Sequence, residues 1–150
     1  MKTLVLALMS MICLGADPAY ATGGFSCSVD DANLKFETQS ALGSGMGAPI
    51  INLEAKGEIR LKGTAADLAQ MEFSKHLVHS WMLFPDLRLH FYREREADKP
   101  HGYVELVVTA VSADDEGTAD GSYDLTVFDT SGASSGDPLK VTGKISCFVE

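Results

Sequence analysis

The chain has 150 residues, with 21 acidic against 12 basic side chains and a formal net charge of −9. That balance argues against nucleic acid and anionic lipid surfaces as partners, because Lys and Arg do the binding there. It permits a basic partner, and it also serves simply to keep an exported domain soluble.

Met1–Ala21 reads as a secretory signal. Lys2 supplies the positive start. Leu4 to Leu14 is a nearly unbroken apolar run, too short to span a bilayer as a helix. Asp17 and Pro18 break it, and Ala19-Tyr20-Ala21 gives the small-x-small cleavage pattern. Cys13 sits inside the apolar run behind Ile12, where lipidation wants a small residue, so it leaves with the signal. Removing 21 of the 150 residues leaves 129, one domain's worth, beginning at Thr22. The short leader points to the periplasm, with secretion as the alternative. No later segment is apolar enough to cross a membrane as a helix.

From there the dominant period is two, the spacing of half-buried strands in antiparallel sheets. Phe25, Cys27 and Val29 share one parity. Leu34, Phe36 and Thr38 oppose Lys35, Glu37 and Gln39. Ile51, Leu53, Ala55, Ile59 and Leu61 oppose a charged face, with Gly57 marking a bulge or bend. Thr64-Ala65-Ala66-Asp67 resembles a helix start. Leu77, Val78, Trp81 and Met82 then break the period, apolar at i, i+1, i+4 and i+5. With Ser74 as a cap and Pro85 as a stop, this predicts a short helix over 75–82, a strand being the rival. Leu87, Leu89 and Phe91 resume alternation. Tyr92-Arg93-Glu94-Arg95-Glu96 alternates in sign, as strand ends do when they discourage edge pairing. Val104 to Val111 is apolar on both faces towards its end and reads as central. Tyr123, Leu125 and Val127 form another strand, and 140–149 closes the chain.

Cys27 and Cys147 lie 120 positions apart in the first and last strands, both with inward parity. An oxidising compartment allows them to form a disulfide, which requires those strands to lie side by side or face each other. The fold expected is all-β, an antiparallel β-sandwich of seven or eight strands with one short helix near 75–82. A small soluble β-barrel is the alternative. A membrane barrel is disfavoured by the charged outward faces and by the ending Phe148-Val149-Glu150.

Motifs for chemistry are weak. Gly132-Ala133-Ser134-Ser135-Gly136 matches the nucleophile-elbow pattern, but a strand follows it and all four histidines precede it. Asp129-Thr130-Ser131-Gly132 has its glycine one place late for an aspartic protease. Asp114, Asp115, Glu116 and Asp120 offer oxygen ligands for calcium without the EF-hand frame. His76 and His79 would share a face only on a helix, and no third ligand is marked. Trp81, the only tryptophan, either packs in the core or rims an apolar pocket with His90, Tyr92 and Tyr103. No catalytic residue, resident metal or cofactor is expected. The function expected is an exported non-catalytic binding or structural module. Its partner would be a protein, a glycan or an apolar small molecule, with an acidic partner or inhibitor of a basic exported protein as one version. A metal-dependent hydrolase using the surface histidines is the alternative.

Overall fold

The computed structural model describes residues 23–43, 50–83, 85–112, 117–131 and 136–150. The signal segment and Asp114, Asp115 and Glu116 lie outside them, as does most of the Gly132–Gly136 motif. Nine strands run in chain order: β1 Gly24–Asp30, β2 Leu34–Leu42, β3 Ile50–Ile59, β4 Gln70–Met71, β5 Leu77–Leu83, β6 Asp86–Glu94, β7 Gly102–Ser112, β8 Gly117–Asp129 and β9 Leu139–Val149. A short helix α1, Ala66–Ala69, precedes β4, and a 3-10 turn over Phe73–His76 precedes β5. All nine strands belong to one antiparallel sheet, ordered β4-β3-β2-β1-β9-β8-β7-β6-β5. The all-β antiparallel expectation holds.

Alternation decides which face each strand buries. Leu34, Phe36 and Thr38 of β2, Leu87, Leu89 and Phe91 of β6, and Val104, Leu106 and Val108 of β7 are buried, while their outward neighbours are exposed or half-exposed. The inward residues meet because the sheet curls into half a barrel. Phe36 and Phe91 are five strands apart, so a flat sheet would separate them by about 24 Å at ~4.8 Å per strand. Their ring centroids are instead 5.6 Å apart. Phe73, from the 3-10 turn, packs edge-on against both, at 5.1 and 5.6 Å. Gly57 makes room for this turn, since a Cβ there would lie 3.0 Å from the Phe73 ring and 2.5 Å from the Lys35 carbonyl oxygen. Gly57 therefore serves close packing and stays in register opposite Phe36. The irregularity in β2–β3 falls instead between Gln39 and Ala41, near Asn52 with its φ of 53°.

Side chains join the two ends of the curl where no ladder does. Arg93 of β6 donates to the carbonyls of Gln70 and Asp67, each at 3.0 Å. Arg95, with a side chain only 4 % exposed, holds Asp67 of α1 at 2.8 Å and Asp129 at the end of β8 at 2.7 Å. It also donates to the Pro100 carbonyl at 3.0 Å. Ser74 hydrogen-bonds both the N–H and the carbonyl of Ala55, satisfying the β3 edge where the two-residue β4 has stopped.

The helix expected over 75–82 is not there. Residues 77–83 form β5, paired with β6, and the Ser74 hydroxyl is spent on β3 rather than on a helix cap. A bulge explains the misleading spacing. The register shifts between Leu77 and His79, so Leu77 faces inward opposite Phe91 and Met82 faces inward opposite Leu87 despite their unequal parity. Val78 and Trp81 are left outside, 56 % and 48 % exposed.

Candidate functional site

By register, Trp81, His90, Tyr92 and Tyr103 all stand on the outer face of β5–β6–β7, on a surface and not around a cavity in the core. Trp81 lies opposite Arg88. It is neither core nor buried rim. Tyr92 and Tyr103 do meet, with rings 5.6 Å apart, and the row continues through Phe128 at 5.4 Å from Tyr103 to His101 at 5.6 Å from Phe128. The Tyr92 hydroxyl donates to Glu94 at 2.9 Å. Burial, reinforced by that carboxylate, raises the phenol above its ordinary value. His90 shares a 2.8 Å hydrogen bond with Glu105.

The histidines and carboxylates considered for metal are dispersed. His76 ends the 3-10 turn and His79 stands exposed on β5, so the helical face that was to unite them does not exist. Burial, with Arg93 and Lys75 nearby, lowers the His76 imidazole below its ordinary value. Asp120 lies on the outside of β8, between Val111 and Ser146. Among the described residues no three His, Cys, Asp or Glu side chains are gathered to hold a metal ion. Asp129 works structurally. Its carboxylate takes the Arg95 guanidinium and two hydrogen bonds from Ser131, at 2.8 and 2.6 Å. The hydrogen bond to Arg95, with these from Ser131, holds it far below the usual carboxylate range.

The site that parity alone does not reveal lies on the opposite wall, outside β9–β1–β2–β3. Cys27 and Cys147 face each other across β1 and β9, with Cα atoms 4.0 Å apart and sulfurs bonded at 2.07 Å. On the outer face above them, two rows cross the strands. One runs Asp120, Ser146, Ser28, Glu37, Lys56, and the other Thr118, Phe148, Ser26, Gln39, Glu54. Serines in the middle and long side chains beside them make a trough of about 720 Å³. Cys27, Thr38, Ala55 and Cys147 also border it but are at most 4 % exposed, so the opening is on the outer side. A second groove of about 370 Å³ continues from it, sharing Ser26, Gln39, Glu54 and Phe148 and reaching Asn52 and Glu150.

Two of the three carboxylates in the trough have a cation beside them, and the third accepts from a neutral amide. Glu37 pairs with Lys56 at 3.4 Å, and Glu72 with Lys75 at 2.6 Å. Gln39 donates to Glu54 at 2.9 Å. Among the described residues the hydroxyls of Ser26, Ser28 and Ser146 make no hydrogen bond, and Phe148 is 45 % exposed. The sequence carries a faint signal of this arrangement in Ser26-Cys27-Ser28 and Ser146-Cys147-Phe148, a small polar residue beside each cysteine. It becomes a site only once register sets the two triplets side by side. The disulfide fits an extracytoplasmic protein, and among the described residues no helix is long and apolar enough to cross a membrane. The chain matches no protein-family model, no curated protein and no solved structure.

Proposed function

We propose that the chain is an exported, non-catalytic binding module of the periplasm whose ligand lies in the trough above the disulfide. The observation that carries this reading is the cluster of three serine hydroxyls, uncommitted among the described residues, beside an exposed aromatic ring. Together they form a concave lining with a few convergent polar groups on a covalently fixed floor. Export rests on the leader pattern at Met1–Ala21 and on the disulfide.

A thermal-shift screen of the processed protein against saccharides, basic peptides and apolar small molecules tests it, since a ligand of the native state raises Tm by mass action. Ser146→Trp fills the trough from an exposed position. It is expected to leave the basal Tm unchanged and to abolish the shift. A ligand whose shift survives in that variant binds elsewhere and contradicts the assignment. Zinc and calcium are expected to leave Tm unchanged, and a rise with either would favour metal-dependent hydrolysis instead.

The net charge of −9 favours a second version, an acidic partner or inhibitor of a basic exported protein. Such binding weakens as salt rises, and indifference to salt counts against it.

A further inference from the structure

We propose that the trough takes a neutral oligosaccharide, an inference that rests on the binding-module reading and names its ligand. A pyranose ring presents an apolar C–H face and a rim of hydroxyls that both donate and accept. Phe148 supplies the matching aromatic face, 45 % exposed at the junction of the two grooves. Ser26, Ser28 and Ser146 supply hydroxyls that also donate and accept, with no partner among the described residues. Gln39 spends one amide N–H on Glu54, which leaves its second N–H as a donor and the amide oxygen as an acceptor.

Charge decides against the other occupants. Lys56 already faces Glu37 and Lys75 faces Glu72, so a basic segment would compete with these ion pairs for two of the three trough carboxylates and find only Glu54 without a cation among the described residues. An anion meets carboxylates. An apolar molecule would cover serine hydroxyls and leave them without water or partner, which penalises binding. A neutral, polyhydroxylated ligand with one apolar face incurs none of these costs. The smaller groove continues the larger one past Phe148, so the site suits a chain of sugars more than a single ring. The Cys27–Cys147 bridge beneath it fixes the spacing of β1 and β9, so the floor is organised before the ligand arrives.

The test is an amide chemical-shift titration of the processed, disulfide-intact protein with cellohexaose, chitohexaose and maltohexaose in turn, and with decalysine as a separate arm. At least one hexaose is expected to move the amides of residues 26–28, 37–39, 54–56 and 146–148. Phe148→Ala should weaken that binding about tenfold or more, whereas Phe148→Tyr, which keeps the ring, should retain it. Ser28→Trp, filling the floor from another exposed position, should abolish it in a protein whose remaining spectrum is unchanged. Movement of the trough amides by decalysine and by none of the sugars overturns the saccharide and leaves the binding module standing. Movement by none of the four probes overturns both. A sugar response that Phe148→Ala leaves intact overturns the stacking role and with it the proposal.

Discussion

Arg95 is the buried charge at the closure of the curl. Its side chain is almost wholly buried and ties α1 through Asp67, the end of β8 through Asp129 and the following loop through Pro100. Breaking a buried ion pair by removing one partner leaves the other charged groups without compensation, typically at about 3–5 kcal/mol. Arg95→Leu should therefore lower the unfolding free energy, measured by urea titration, by that order. The same cluster sets the acid limb. The Arg95 guanidinium holds the Asp129 and Asp67 carboxyls below their ordinary value, near 3.9 in the unfolded chain. A depressed carboxyl stabilises the native state fully above about pH 4 and loses that contribution as pH falls towards its native value. Stability measured by urea unfolding should fall on acidification below about pH 4, and Asp129→Asn should fall less steeply over that range. Equal slopes would mean the ion pair does not contribute. Tyr123 and Gly143 show the same dependence on single atoms. The Tyr123 hydroxyl donates to Asp31 at 2.6 Å, and its ring crosses Gly143 so closely that a Cβ there would lie 2.3 Å away.

At the scale of elements, β5 is the exception that instructs. The seven longer strands besides β5 and β4 were all legible as alternation, because one buried and one wet face impose period two on the residues. In β5 the bulge after Leu77 shifts the inward parity, and the apolar residues fall at helical spacing. Val78, Trp81 and Leu83 are also exposed, so their hydrophobicity does not report burial. Tryptophan fluorescence checks this directly, since Trp81 is the only such residue. Acrylamide should quench the native protein nearly as well as the unfolded one, and Trp81→Lys should change stability by no more than about 0.5 kcal/mol. A blue-shifted, protected emission would return Trp81 to the core. The site was less legible than the strands. Ser26, Ser28, Ser146 and Phe148 could be assigned to an outward face from parity. That Ser28 stands beside Ser146, and Ser26 beside Phe148, depends on long-range register that no local pattern encodes.

For the whole molecule, the disulfide spans the join with the fewest residue pairs among the strands longer than β4. β1 and β9 share four residue pairs, whereas β8 and β9 share eleven. These two strands are also the first and last described, so their contact closes nearly the whole chain into one loop, and the bridge closes it at a sequence separation of 120. The chain-entropy account gives such a bridge about 4–5 kcal/mol. Reduction, or Cys27→Ala with Cys147→Ala, should lower stability towards that extent and loosen the floor of the trough, so ligand binding should weaken with it. The most direct measurement is alkylation of the processed, unreduced protein under denaturing conditions, followed by peptide mapping. The account predicts one linked peptide pair containing Cys27 and Cys147, an amino terminus at Thr22 and no alkylated cysteine. Alkylated Cys27 and Cys147 in the protein taken from its native compartment would contradict it.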